Sequence, residues 1–351
     1  MDKKDLLHFR IVDVHEENPY AKTYQLQLLN HPKLNFRPGQ FLTFVIQTER
    51  QELRRSYSIL TLPEEPLKIT VKKVENGAIS RFILQNWKKG DVVFSLLPAG
   101  RFYIEAQPNG PPRDIFCFAA GSGIIPIYPQ IRSLLKHEPQ SVIHLVYSNR
   151  SEKEALFLKD IENTAETFPQ LNLIKFFSDP EEQLEFRGRL SNISAEILIQ
   201  KILKYNKADA VFLTCGPFAY MRMLVFTIGL MGFKKENIKR ENYIPSIMYS
   251  GTAPAKTFPE RDVIVKIDSK IHTVKVFSSE SILNAALRSG LNLPFSCKGG
   301  VCGNCAAKCK NGKVYMSINE VLTDEDLKRD WILTCTGFPE EEGTEIDFDA
   351  E

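Results

Sequence analysis

Over its first hundred residues the chain alternates apolar and polar positions in short runs separated by turn residues. Residues 24–29 and 41–46 alternate on either side of Arg37-Pro38-Gly39-Gln40, and further short runs follow at 55–60, 67–74 and 92–97. Many short strands with Gly/Pro punctuation predict an antiparallel β-barrel or sandwich over residues 1–108. Near residue 112 the pattern changes. Ile115-Phe116-Cys117-Phe118-Ala119 is continuously apolar, as a strand buried on both faces should be. A helical period follows over 125–136, then a second apolar run over 142–147. Strands and helices alternate from there to 211–214 and a helix after Gly216. That alternation predicts a parallel α/β sheet with crossover helices over 112–248. Residues 249–260 mix Pro, Gly, Ser and Thr without a period and read as a linker. Beyond them a hairpin (263–267 with 272–276), a helix over 281–289 and a cysteine-rich loop suit an α+β β-grasp domain spanning 261–351. The chain is thus expected to be multidomain.

Composition narrows the function. Of 351 residues, 43% are hydrophobic and 25% charged, as in ordinary globular domains. A formal charge of +2 gives no case for nucleic acid, which needs a basic excess on one surface. The start, Met1-Asp2-Lys3-Lys4-Asp5, lacks the apolar core of a secretory signal. The most apolar stretches, 115–128 and 224–233, are too short or too broken to span a bilayer. The expectation is a cytoplasmic protein without a membrane span. Seven cysteines, five of them between 297 and 335, fit metal ligation in a reducing compartment better than a disulfide scaffold.

The cysteine pattern carries the most chemistry. Cys297-x4-Cys302-x2-Cys305, completed by Cys335 after 29 further residues, has the spacing of plant-type [2Fe–2S] proteins. A loop around a small cluster must aim several thiolates inward while its N–H groups face the sulfurs. Gly299, Gly300 and Gly303 are expected to allow that approach and to take positive φ. Structural zinc is the competing reading, but zinc sites usually show two short cysteine pairs. Cys309 reads as a buried strand residue, and Cys335, in a returning strand, as the fourth ligand.

Two more constellations concern nucleotides. Arg55-Ser56-Tyr57-Ser58 ends a strand, and Asn76-Gly77-Ala78-Ile79-Ser80 opens a helix some twenty residues later. An aromatic ring to lie on an isoalloxazine, an Arg for a pyrophosphate and a helix N-terminus for phosphate oxygens are what a flavin nucleotide needs. Gly121-Ser122-Gly123-Ile124-Ile125-Pro126 lies between a buried strand and a helix, where glycines let a pyrophosphate approach the helix N-terminus. Cys215-Gly216-Pro217 closes a later strand; alone, Cys215 reads as a buried small hydrophobe. Ser148-Asn149-Arg150-Ser151 offers no acid at the second strand's end, where NAD binders place one, and Arg150 with Ser148 suits a 2′-phosphate. NADPH is therefore expected, with Glu152 and Glu154 leaving NADH open. The six histidines show no metal-like spacing.

On these residues the chain resembles the ferredoxin–NADP reductase family, whose flavin motif is RxYS followed by GxxS. More narrowly, it resembles three-domain oxygenase reductases with a C-terminal [2Fe–2S] domain. The likeness takes in Pro38-Gly39-Gln40-Phe41, Gly90-Asp91-Val92 and Pro98-Ala99-Gly100-Arg101-Phe102. It implies FAD rather than FMN, with Tyr57 on the ring and Ser58 near N5. Arg55, beside Ser56, would contact the pyrophosphate, Val71 and Lys72 would offer backbone contacts, and Gly77, Ala78, Ile79 and Ser80 would hold phosphate. Gly121, Ser122, Gly123 and Pro126 resemble the pyridine-nucleotide motif, and Cys215, Gly216 and Pro217 the element beside the nicotinamide. Tyr57, Ser58 and Cys215 are then positioning residues for hydride transfer.

The implied activity is hydride transfer from NADPH to FAD and single-electron transfer to the cluster. A protein acceptor is expected to dock on the cluster domain, either an oxygenase component or a free flavodoxin or ferredoxin. Residues 261–351 carry 11 basic and 15 acidic side chains, an imbalance suited to a basic partner. A redox-sensing interaction protein is the reading from a different class.

Overall fold

The computed structural model describes residues 6–47, 52–74, 77–181, 183–184, 186–243 and 257–350. The chain divides into two compact units, one covering Leu6–Glu241 and the other Asn242 to the C-terminus. Residues 249–256 of the expected linker, and Asn76, lie outside the described residues. Among the described residues, no helix is long and apolar enough to cross a membrane.

The first unit opens with strands β1 (Leu7–Asn18), β2 (Ala21–Leu28), β3 (Phe41–Gln47), β4 (Glu52–Ser58) and β5 (Lys68–Lys72). Helix α1 (Ala78–Asn86) and strand β6 (Val92–Ser95) follow. The antiparallel sheet runs β4-β3-β6-β1-β2-β5, and an Ile59–Ile69 bridge joins its two ends into a barrel. Phe9, Ile11, Tyr24, Leu42, Phe44 and Ile69 fill the interior, with Ile79 and Ile83 of α1 packed against them. Strand β1 is the longest, yet the alternation at its start does not reveal it. A register shift between Ile11 and Asp13 breaks the two-residue period partway along, as a bulge does.

A parallel sheet follows, built from β7 (Asp114–Ala120), α2 (Ile124–His137), β8 (Val142–Asn149), α3 (Leu158–Thr167) and β9 (Leu171–Phe177). It is completed by β10 (Phe186–Arg187), α4 (Asn192–Ile202), β11 (Val211–Cys215), α5 (Phe218–Leu230) and β12 (Ile238–Glu241). The order is β10-β9-β8-β7-β11-β12. Helices α2 and α3 cover one face and α4 and α5 the other, which explains why β7 is apolar at nearly every position. The chain leaves β7 toward β8 and returns on the other side at β11. That reversal opens a crevice at the carboxyl ends of β7 and β11, where α/β sheets bind ligands. Leu60 and Phe102 of the barrel lie in one core cluster with Ile115, Ile124 and Tyr128, so barrel and sheet share a core.

The amino-terminal end of the sheet, opposite the crevice, is held by a buried ion pair. Arg113 donates Nε and Nη2 to the Glu138 carboxylate at 2.8 and 2.9 Å, and Glu138 also accepts from Gln107 N and Ser141 Oγ. Burial opposes ionisation of Glu138, but the Arg113, Ser141 and Gln107 hydrogen bonds hold its carboxyl below its ordinary value.

The second unit contains β13 (Arg261–Ile267), β14 (Lys270–Val276), α6 (Ile282–Arg288), β15 (Ala306–Asn311), β16 (Val314–Met316) and α7 (Asp324–Lys328). Strands β17 (Trp331–Leu333), β18 (Gly337–Pro339) and β19 (Thr344–Asp347) complete it. The main sheet runs β14-β13-β19-β15-β17, with β13 parallel to β19 and α6 packed into its core, the β-grasp arrangement. Asp268 and Ser269 turn the first hairpin with φ of 51° and 60°, as a tight hairpin turn requires. Phe258, expected in the linker, is buried and stacks on Tyr315 and Phe338. The end of that segment therefore belongs to the core of the second unit.

Arg113→Ala should leave a buried carboxylate unpaired and cost about 3–5 kcal/mol of stability, measured by denaturant unfolding at pH 7. Because the folded pKa of Glu138 is depressed, its contribution is present above the unfolded value and lost as pH falls through the folded one. The variant should accordingly show a shallower stability decline below about pH 4 than the parent protein.

Candidate flavin, nicotinamide and iron–sulfur sites

The expected flavin residues come together at one end of the barrel. Strand β4 carries Arg55 to Ser58, and its neighbour across the closing bridge leads into β5, which carries Val71 and Lys72. Tyr57 packs against Phe44 with ring centroids 6.2 Å apart, and burial pushes its phenol well above the ordinary range. Its ring is therefore a neutral, held surface for stacking. Helix α1 has Gly77 as N-cap, without a side-chain cap or an acid in its first turn, so its first N–H groups suit an anionic group. Ser80 turns toward its own loop, its hydroxyl donating to Gly77 O and accepting from Val74 N, which shapes the turn at the start of α1.

The nicotinamide residues meet across the sheet crevice. Gly121 to Gly123 form a single 3-10 turn before α2. A Cβ on Gly123 would lie 2.0 Å from the Cys215 carbonyl oxygen, so no other residue allows this approach. Pro126 occupies the first turn of α2, where its missing N–H is harmless. Cys215 is fully buried and belongs to the core; its neighbours Gly216 and Pro217 bring the N-terminus of α5 to the crevice. Ser148 Oγ lies 3.4 Å from the Tyr220 hydroxyl of α5, spanning the crevice from β8 to α5.

Two contacts here escaped the sequence reading. Glu241, at the end of β12 and in register with Cys215, accepts a hydrogen bond from Ser58 Oγ at 3.3 Å, and both residues are buried. The barrel's flavin strand and the nucleotide sheet thus meet at a serine–carboxylate pair separated by 183 positions in sequence. Lys72, expected to offer only its backbone to flavin, has Nζ 3.7 Å from where a Gly121 Cβ would stand. Its ammonium therefore sits at the nucleotide turn. No local motif signals either contact, because each depends on how the barrel packs against the sheet.

Arg150 lies just beyond β8. Its Nε is 3.8 Å from Asp179 Oδ2 and its Nη1 3.9 Å from Glu154 Oε1.

The four predicted cluster ligands converge in the second unit. Cys297 neighbours Cys302 and Cys335 at hydrogen-bond range, and Cys335 also neighbours Cys305, giving the chain Cys302–Cys297–Cys335–Cys305. Gly299 N donates to Cys297 Sγ at 3.4 Å. The thiols of Cys302 and Cys335, with the N–H groups of Gly299 and Val301, pull the Cys297 thiol far below its ordinary range. The hydrogen bond to Cys297, burial and nearby sulfur charge push Cys302 upward, and contacts with Cys297 and Cys305 do the same for Cys335. Four thiolates packed this closely would repel one another, so holding all four ionised requires a cationic centre among them. Three ligands on one glycine-rich loop and a fourth just past β17, all within reach of one another, fit a binuclear cluster, which takes four cysteine thiolates over its two irons.

The loop backbone differs in detail from expectation. Gly300 and Gly303 have positive φ (74° and 72°), but the third such position is Lys298 at 53°, in place of Gly299. Cys335 follows β17, and Thr334 N and Oγ1 both bond Cys305 O, holding the two ligand segments together. Cys309 lies in β15, with Sγ against the carbonyls of Asn311 and Gly312, apart from the cage.

The comparisons with known proteins agree with this geometry. An oxidoreductase FAD-binding domain family matches residues 8–104, an oxidoreductase NAD-binding domain family residues 118–225, and a 2Fe-2S iron-sulfur cluster binding domain family residues 265–340. Together they define a flavin- and iron–sulfur-dependent NAD(P)H oxidoreductase. The chain is 32% identical to a subunit of the 1,2-phenylacetyl-CoA epoxidase of Escherichia coli K12 over 90% of its own length and 89% of that protein's. It is 29% identical to the ferredoxin reductase component of 3-ketosteroid-9-alpha-monooxygenase of Rhodococcus rhodochrous, again over 90% of this chain and 89% of that one. The chain belongs to this family of oxygenase reductase components. Among solved structures, phthalate dioxygenase reductase shares the fold over 99% of both chains, with a TM-score of 0.59 and 20% identity.

Replacing Cys297, Cys302, Cys305 or Cys335 by Ser should abolish bound iron and the visible cluster spectrum while leaving flavin content unchanged. Cys309→Ser should retain iron; loss of iron in that variant would reassign the ligands. Lys72→Met should raise KM for the nicotinamide nucleotide roughly tenfold, as removal of one charged contact to phosphate does, with bound flavin unchanged.

Proposed function

We propose that the chain accepts hydride from NAD(P)H beside Ser58, Cys215 and Glu241, and delivers electrons singly to an oxygenase component through a cluster held by Cys297, Cys302, Cys305 and Cys335. The observation that carries this reading is the buried Ser58–Glu241 hydrogen bond. It brings the end of the expected flavin strand to the carboxyl end of the nucleotide sheet. Bound FAD supplies the conversion between two-electron and one-electron chemistry, and a bound [2Fe–2S] cluster supplies one-electron storage.

The protein's own part is positioning. Tyr57 offers the stacking surface, Arg55 and the first turn of α1 receive the flavin phosphates, and Val71 contributes backbone contacts. The N-termini of α2 and α5 face the nucleotide with no acid in either first turn, and the dipole of each favours an anion there. With phosphates at Gly121 to Gly123, the nicotinamide extends toward β11 and the adenosine toward Ser148 at the end of β8 and Arg150 just beyond it. Ser58 donates to Glu241, so the pair can hold a proton at the hydride-transfer position without side-chain movement. Cys215, packed in the core, fixes the floor of that position through its backbone.

Residues 1–108 then form the flavin domain and 112–248 the nucleotide domain, and the cluster domain of 261–351 takes Phe258 into its core from the connecting segment 249–260. The reducing chemistry and seven free cysteines suit the cytoplasm. The acceptor, by likeness to the named relatives, is an oxygenase component.

Anaerobic titration with NADH or NADPH should bleach both the flavin and the cluster bands, three electrons being taken up per chain. Flavin bleaching with an unreduced cluster would remove the cluster from the electron path. Absence of any bleaching would leave the redox-sensing reading in its place.

A further inference from the structure

We propose that Gln130, a buried residue of α2, is a positioning residue for hydride transfer: its side-chain amide joins the helix that carries the phosphate turn to the strands that carry Ser58. This rests on the reading that hydride passes beside Ser58 from a nucleotide whose phosphates lie at Gly121 to Gly123.

Gln130 is 2% exposed, and its amide is used at both ends. Nε2 donates to Phe102 O and to Pro126 O, each at 3.0 Å, and Oε1 accepts from Ile104 N at 3.2 Å. The reverse orientation would set the amide oxygen against two carbonyls and its nitrogen against an N–H, so the partners dictate the one observed. Pro126 belongs to the first turn of α2, and Phe102 and Ile104 to the segment that leaves the barrel after β6. One side chain thus holds the start of the helix and the exit segment of the barrel together.

That segment leads directly to the flavin strand. Phe41 N donates to Ala99 O at 2.9 Å and Ala99 N to Phe41 O at 3.0 Å, and Phe41 stands opposite Ser58 in the β3–β4 ladder. Gly39, just before β3, has a φ of 98°, and a Cβ there would collide with Phe102 O and with the Gln130 amide. The glycine therefore leaves the space in which the Gln130–Phe102 bond forms. The path from Gly123 to Ser58 runs through α2, Gln130, the 99–102 segment and Phe41.

The Ser58–Glu241 bond fixes one point between barrel and sheet. A single point leaves a hinge, and a second removes it. Two ion pairs, Arg132 with Glu65 and Lys136 with Glu64, also tie α2 to the barrel. Both are partly exposed, so salt weakens them. The Gln130 bonds are neutral and buried, and salt leaves them intact. Alignment of donor and acceptor is where such a joint acts, because a displacement of about 1 Å can cost on the order of a hundredfold in rate.

The test is anaerobic stopped-flow reduction of the full chain, loaded with FAD and cluster, by NADH and by NADPH over a range of concentrations. Gln130→Met, of similar length but without the amide, should lower the limiting rate of flavin reduction at least about fivefold. The apparent Kd for the nucleotide should move less than about twofold, the pattern of lost alignment with binding retained. In this variant the limiting rate should also fall with salt, since the exposed ion pairs then carry the joint, while the parent's rate should not. A smaller loss in a variant with full FAD content, or a loss that appears in Kd instead, overturns the inference. Gln130→Glu decides independently, including where Gln130→Met fails to retain FAD. Ionised, the new carboxylate cannot donate to Phe102 O; protonated, it can. Its limiting rate, taken relative to the parent's, should recover as pH falls, and a ratio that does not change with pH overturns the inference. Either failure leaves the proposed function standing, whereas a parent flavin reduced by neither nucleotide overturns both.

Discussion

The close approach of Gly123 to the Cys215 carbonyl organises the nucleotide half of this protein. With 2.0 Å between that oxygen and the position of an added Cβ, the turn after β7 rests directly on the end of β11. The contact holds the two strands' carboxyl ends at one level, where the strand order reverses. It sets the N-termini of α2 and α5 side by side and brings Glu241, one strand further along, to Ser58 on the barrel. Any larger residue at 123 would push these elements apart, and the dipoles and donors they present would no longer converge.

Electrostatics divides the first unit into two ends with different tasks. At the amino-terminal end of the sheet, opposite the crevice, Arg113 with Glu138 and His144 with Asp114 are buried, closely paired and further hydrogen-bonded to backbone. Such satisfied pairs resist the loss of either partner and hold the strand starts rigidly. At the crevice the helix ends are left open, and the cations Lys72 and Arg150 stand near the nucleotide turn and the adjacent strand end. The sheet is thus anchored at one end and leaves its binding capacity at the other.

The cluster cage follows a different logic. Its ligand loop holds Lys298, Gly300 and Gly303 in the left-handed region, a conformation that a non-glycine residue adopts at some strain. Hydrogen bonding from Thr334 to Cys305 O ties the distant fourth-ligand segment to the loop. Contacts among the thiols pull Cys297 below its ordinary range and push Cys302 and Cys335 above theirs. A cluster bound there would hold all four cysteines as thiolates.

Local features of the chain were legible because they depend on neighbours in sequence. The x4/x2 cysteine spacing, the apolar run of β7, the glycine turn and the hairpin at β13 and β14 each state their own geometry. Strand β1 was hidden by a bulge at Ile11 to Asp13, which breaks the period on which such reading relies. Ser80 showed a hydroxyl at a helix start, but the loop conformation turned it inward to Val74 and Gly77. By itself, then, the sequence determined the kinds of domain, their order and the cofactor chemistry, since turn residues, periodicity and ligand spacing are short-range constraints. The tertiary structure decided which side chains meet: Glu241 with Ser58, Lys72 with Gly121, Asp179 with Arg150. Each of those contacts joins distant segments through strand order, register or core packing, which no stretch of sequence contains alone.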